Sequence, residues 1–372
     1  MMKIILAAGS ALATAHAPAV EAPFLGREMS IEQGKELVDA RVIEDVVVAP
    51  IPISNPTIGT GLGVVVMPFY HLGAGSPLSN TAVAFGATSS GSWGVGAAQS
   101  TRLRRDDLRI DGMLAYVDVR YSFYGTGAEA GRNGVSVPIV QKGYVLAPEL
   151  LFETSRRLFA GVRYRGLRME TALDGPDTPP QLAALLGRSL TVVASGLGPR
   201  AVLDTRDNEM SPSSGFLLDL RANFNLKDLG SDFEYETYEL SANHYRRLGR
   251  GVLALRGYAC KASAGAPLFD LCLYGAGNDL RGYEVGRYRD QAMVAAQAEY
   301  RFPLRGRFGA TLFGGWGKVA RSFDAMGEEP DLPSVGAGLR WLASEKARVN
   351  LSADLAHGRD GTSMYVYVKE SF

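Results

Sequence analysis

The feature that most constrains this chain is a two-residue hydrophobic period running through its second half. Ala292, Val294, Ala296, Ala298, Tyr300 and Phe302 alternate with Gln291, Met293, Ala295, Gln297, Glu299 and Arg301. The same dyad recurs in Val335, Ala337, Leu339 and Trp341 against Ser334, Gly336, Gly338 and Arg340. It recurs again in Val349, Leu351, Ala353 and Leu355 against Arg348, Asn350, Ser352 and Asp354. Side chains on a strand point alternately to opposite faces, so each segment reads as a strand with one apolar and one polar face. A soluble sandwich also alternates, but it buries its apolar face against a second sheet. A membrane barrel turns that face to lipid and fills its interior with charge, and Arg, Glu and Asp on the minor face favour the barrel.

Composition narrows the choice further. No apolar run reaches 18 residues, so no segment is expected to cross a membrane as a helix. The stretch from Val46 to Ser100 has no Asp, Glu, Lys or Arg, yet Pro50, Pro52, Pro56, Pro68, Gly59, Gly61 and Gly63 would break a helix there. Its β-branched clusters suit strands. Lys+Arg and Asp+Glu balance at 39 each, which argues against a nucleic-acid partner.

The period and the turn residues together predict about sixteen antiparallel strands of roughly ten residues, the length of a tilted membrane strand. They fall near 43–54, 57–70, 81–91, 93–104, 107–123, 139–154, 157–171, 189–206, 214–226, 232–246, 251–262, 291–302, 306–320, 333–343, 346–357 and 363–372. Short connections at one end alternate with long ones at 124–138, 172–188, 263–290 and 321–332. The expected fold is all-β: a closed transmembrane antiparallel barrel at 43–372, its first and last strands paired.

At the N-terminus, Lys3, the uncharged stretch Ile4–Ala15 and the small residues around His16 have the form of a signal peptide, residues 1–17. A short periplasmic leader, 18–42, follows, in which Ser30-Ile31-Glu32-Gln33 has the capping-box form that opens a helix. Export places Cys260 and Cys272 in an oxidising compartment, where this even pair is a candidate disulfide.

Catalytic chemistry is poorly supplied. Beyond the signal segment the histidines are His71, His244 and His357, none beside a serine motif, so no enzyme is expected. No His or Cys pair stands at metal-ligand spacing, and the Gly-rich runs at 59–63, 94–96 and 314–317 lack the Lys of a phosphate cradle. Neither metal nor cofactor is expected.

The most specific stretch runs from Gly275 to Asp290 and contains Leu280-Arg281-Gly282-Tyr283. It closely resembles the Leu/Val-Arg-Gly-Tyr/Phe motif of the BamA/TamA outer-membrane superfamily, the bacterial surface antigen barrels. Leu203-Asp204-Thr205-Arg206-Asp207-Asn208 with Pro212 and Ser214-Gly215, Glu299 to Leu304, Phe313 with Gly317-Lys318-Val319, and Gly336 to Arg340 extend the resemblance over about 197–372. The final strand ending in Phe372 resembles the barrel assembly signal of outer-membrane proteins, with Glu370 as a departure from its usual apolar run.

The resemblance implies a bacterial outer-membrane location in a Gram-negative cell, contact with outer-membrane lipids, and insertion by the barrel assembly machinery. It implies a long outer loop folded into the lumen, with Arg281 held by acidic residues on the wall. Glu299 and Asp354 have the lumen phase and are the expected partners. Tyr283 and Arg287 are expected against the inner wall beside Gly282, and Arg289 at the loop's edge. The family commonly has Asp in a Phe-x-Asp-x-Gly element where this chain has Gly315.

Family members that fold client barrels or secrete substrates carry periplasmic POTRA domains, for which 18–42 is too short, so that activity is not implied. The resemblance names no client or accessory protein. Two classes follow: a compact barrel of this type acting in outer-membrane biogenesis, lipid contact or export, or a passive porin-like channel for small solutes.

Overall fold

The structure is a computed structural model that describes residues 43–55, 58–73, 75–174, 190–275 and 280–372. The expected signal peptide and leader, including the capping box, lie outside the described residues. Period-two patterning yields one large antiparallel sheet, made of β1 (Ile43–Asn55), β2 (Gly59–Tyr70), β3 (Ser79–Thr88), β4 (Trp93–Leu103), β5 (Leu108–Phe123), β6 (Val137–Leu146), β7 (Glu149–Ser155), β8 (Leu158–Leu173) and β9 (Leu190–Asp204). It continues with β10 (Gly215–Asn225), β11 (Tyr235–Leu248), β12 (Gly251–Ala262), β15 (Ala292–Pro303), β16 (Phe308–Ala320), β17 (Ser334–Ser344), β18 (Val349–Gly358) and β19 (Gly361–Val368). A separate two-residue pair, β13 (Cys272–Leu273) and β14 (Arg289–Asp290), lies inside the loop between β12 and β15.

The sheet has seventeen strands, but β6 and β7 occupy one place in it. Both pair with β5 and both pair with β8. The sequence predicts one strand over 139–154; Pro148, which has no N–H to give a ladder, divides it. The amide of Ala147 still donates to Met113, and the Pro148 carbonyl accepts from Tyr164, so the wall stays continuous. Sixteen positions around the sheet result.

The two edges do not meet as expected. β19 lies beside β1, yet among the described residues no hydrogen-bonded register joins them. Val366 and Val368 of β19 instead pack against a cluster that includes Val47, Ala49 and Ile51 of β1 and Val65 and Phe69 of β2. Pro50 and Pro52 remove donors from β1, as suits a strand left open on one side.

The last strand is also shorter than the expected 363–372. It ends at Val368, and Lys369 takes a φ of 75°. Phe372 therefore does not ride on a strand. It is buried beside Tyr245 and between the guanidinium groups of Arg256 and Arg301. Glu370, the departure from the apolar run, supplies the physical reason: its carboxylate accepts from Arg340 Nε at 2.7 Å and Asn350 Nδ2 at 2.7 Å, inside the sheet.

The two faces divide as the period predicts. Leu62, Leu114, Leu220, Leu312 and Leu339 point outward and are 45–61% exposed. Arg102, Arg109, Arg163, Arg256, Arg301 and Arg340 point inward and are buried. These inward charges and the loop between β12 and β15 fill the interior.

Candidate functional site

The loop between β12 and β15 is a hairpin in its own right. Its limbs are joined by β13 and β14, and Cys260 is bonded to Cys272, with Cα atoms 5.8 Å apart. Beyond that tie, Leu280 to Tyr288 fold back against β15, β16, β17 and β18.

Close approach is possible because the facing wall lacks side chains. A Cβ at Gly317 would lie 2.5 Å from the Tyr274 ring, and one at Gly315 would lie 2.2 Å from Leu280 Cδ1. Leu280 thus fills the space at the position where the resemblance implies an Asp. Gly282 has a φ of +108°, and a Cβ there would press on Ser334 and on the backbone of His357 and Gly358. Gly282 donates its N–H to the Tyr365 hydroxyl at 2.9 Å.

Arg281 is 1% exposed and meets both expected partners. Its Nη2 donates to Glu299 and its Nη1 to Asp354. Its Nε and Nη2 also reach Gln297 Oε1 at 3.1 and 2.8 Å, and the guanidinium lies over the Phe313 ring, 3.4 Å from the centroid. Ser334 donates its hydroxyl to the Arg281 carbonyl. A buried guanidinium is costly unless its donors are satisfied with good geometry, and these contacts provide that.

The pair belongs to a larger network. Arg301 Nε donates to Glu299 at 2.6 Å and lies 3.5 Å from Glu370, while Arg340 contacts Asp354, Glu299 and Glu370. Three guanidiniums therefore face three carboxylates, and the formal charges cancel. Tyr367 donates to Asp354. Among the described residues, Arg301 Nη1 and Gln297 Nε2 are the buried donors of this group that find no acceptor.

The other expected residues are placed as follows. Tyr283 is buried in edge-to-face contact with Tyr274 and Tyr288 and donates its hydroxyl to the Pro333 carbonyl at 2.6 Å. Burial pushes its phenol up to about 12. Arg287 lies nearer the outer end. Its Nη2 is 3.0 Å from Asp360, and its Nε donates to the carbonyl of Gly131, in the short helix α1 (Ala128–Asn133). Burial also raises the carboxyl of Glu284, against the pull of the Tyr124 hydroxyl that donates to it.

Arg289 departs from its expected place at the loop's edge. It is 2% exposed and donates to the carbonyls of Gly286 and Leu268, tying the two limbs together. Gln297, Arg301, Arg340, Tyr365, Tyr367, Phe313 and Ser334 escaped the sequence reading as members of this site. Gln297, Arg301 and Arg340 had carried a usable signal, since each has the lumen phase of its strand.

A second polar group closes the short-turn end. β9 ends at Leu203 and Asp204 and the turn begins at Thr205; Asp204 meets Arg206 at 2.9 Å and Arg109 at 3.2 Å. Asp207 accepts from Ser213 and Ser214, and Asn208 from Met210 and Ser211.

A sixteen-position antiparallel sheet with an apolar exterior, and an ion-paired hairpin inside, defines a class: the outer-membrane-type β-barrel with an occupied lumen. Residues 119–356 match the Omp85 superfamily domain. The chain belongs to the Omp85 superfamily and is an outer-membrane barrel of that type.

BamA from Haemophilus ducreyi, in a crystal structure lacking POTRA domains 1–3, is similar with a TM-score of 0.55 at 14% identity, covering 91% of this chain and 77% of that one. CdiB from Acinetobacter baumannii is similar with a TM-score of 0.53 at 13% identity, covering 91% and 67%. At these identities the likeness is one of fold. No curated protein matches the sequence.

Proposed function

We propose that this protein is a lipid-embedded barrel of the bacterial outer membrane, closed at rest by its Arg281 loop, and that it serves outer-membrane biogenesis or export rather than passive solute flow. It is not an enzyme in this reading and carries no cofactor. The observation that carries the proposal is the neutral, buried network of Arg281, Arg301 and Arg340 with Glu299, Asp354 and Glu370. A passive pore uses its interior charges to meet water and solute, whereas here they are spent on one another and on the loop.

Outward apolar residues support the lipid setting. On β10 the outward series runs from Phe216 to Phe224, and on β16 from Phe308 to Trp316. At about 3.4 Å per residue and a tilt near 40°, such a band is roughly 20 Å tall, close to the apolar belt of membrane barrels. Trp93, Tyr116 and Tyr144 lie in tilted ring contact with one another across β4, β5 and β6, as aromatic residues gather at a membrane interface. Outer-membrane lipids are then the constant partner, and the barrel assembly machinery a transient one during insertion.

Deleting the protein from its host tests the role. The expected result is an altered content of outer-membrane proteins or lipids with unchanged uptake of small sugars. Unchanged envelope composition with slowed sugar uptake contradicts the proposal and favours the passive channel.

A further inference from the structure

The loop that carries Arg281 also touches the opposite side of the barrel. Its first limb makes a single turn at Leu268–Asp270 before reaching β13. There the Asp270 carboxylate accepts both Nη groups of Arg165, one at 2.8 Å, and the Tyr235 hydroxyl at 2.6 Å. Arg165 lies on β8 and Tyr235 opens β11. Arg165 is 8% and Tyr235 3% exposed.

Beside Asp270, Phe269 packs into an apolar cluster with Val117 of β5, Val145 of β6, Met169 of β8 and Val192 of β9. The Arg281 segment is seated on β15 to β18. The Cys260–Cys272 bond fixes the limb between these two anchor points. The loop therefore crosses the lumen and is anchored by ionic contacts in two sectors of the wall that share no strand.

We propose that the loop is a two-point strap, in which the Asp270 clamp on Arg165 and Tyr235 holds the lumen closed independently of the Arg281 latch, so that the pore opens only when both are released. This rests on the closed-lumen reading above. Breaking a buried, hydrogen-bonded ion pair shifts a two-state equilibrium by about two to three orders of magnitude. With either anchor intact the closed state keeps its advantage.

The test is a four-way comparison of single channels in planar bilayers: the natural protein, Asp270→Ala, Arg281→Ala and the double variant. Heat-shifted gel migration confirms that each barrel is folded. Both single variants are expected to stay mostly closed, and the double variant to be open at least about a hundredfold more of the time than either. Full opening of Arg281→Ala alone, or a double variant that stays shut, overturns the strap and leaves the lumen loop standing. Steady conductance by the natural protein instead overturns the closed-lumen reading itself.

If Asp270→Ala does not assemble, Asp270→Asn combined with Tyr235→Phe replaces it, since both keep the side-chain shape. In the Arg281→Ala background, the exchanged pair Asp270→Arg with Arg165→Asp is expected to restore closure. An exchanged pair that folds but stays open counts against the clamp.

Discussion

Arg281 makes ionic contact with two carboxylates, so removing it leaves Glu299 and Asp354 buried with Arg301 and Arg340 alone to balance them. Arg281→Ala is expected to lower barrel stability by about 3–5 kcal/mol, read as the denaturant midpoint of the heat-shifted band. Arg307 pairs with Glu345 at 2.7 Å on the surface, and Arg307→Ala is expected to cost at most about 1 kcal/mol. Equal losses in the two variants would contradict the latch. Asp207 gives a pH test outside the strands. Burial opposes its ionisation, but the hydrogen bonds from Ser213 and Ser214 prevail and hold its carboxyl below the usual range. Its stabilising contribution is then present above the unfolded pKa and lost as pH falls from about 4 through the folded value. Asp207→Asn should flatten that part of the stability profile, and an unchanged profile would count against the assignment. Arg281, Glu299 and Asp354 were legible because a motif marked the first and the period marked the others. Gln297, Arg340 and Tyr367 shared that lumen phase, but phase gives the face of a strand and not the height at which it meets its neighbours, so it did not by itself join them to Arg281.

At the scale of elements, the loop hairpin depends on its cross-link. Closing the short segment between Cys260 and Cys272 contributes roughly 3 kcal/mol in the chain-entropy model, so Cys272→Ser should lower the unfolding midpoint accordingly. It should also raise proteolysis within 263–275 in intact vesicles, because the limb bearing Asp270 loses its tie to β12. Unchanged protease resistance would mean that Phe269 and Asp270 hold the limb without help. Most strands were readable to within a few residues, since alternation and turns set them locally. The division of β6 from β7 depended on how the ladder tolerates Pro148, and the early end of β19 on an inward pull from Arg340 and Arg301 that no local pattern reveals.

At the scale of the whole molecule, an apolar exterior surrounds an interior that is charged yet neutral and crossed by a strap. A charge placed in the middle of the outer band should be costly in lipid by about 2–4 kcal/mol, so Leu312→Arg is expected to reduce the amount of assembled barrel in membranes. Assembly at the natural level would contradict the lipid-facing assignment of β16. Barrel architecture was legible because alternation repeats along the chain. The meeting of β1 with β19 was not, because an overlap of side chains leaves no periodic trace. The most direct measurement of the central claim is the reactivity of a single engineered thiol, Leu280→Cys, at a position the structure buries between the loop and the inner wall. In folded protein in native membranes under non-reducing conditions, a membrane-impermeant maleimide should leave this thiol unmodified in most molecules. Rapid and complete modification in a folded barrel would show that the loop does not rest in the lumen.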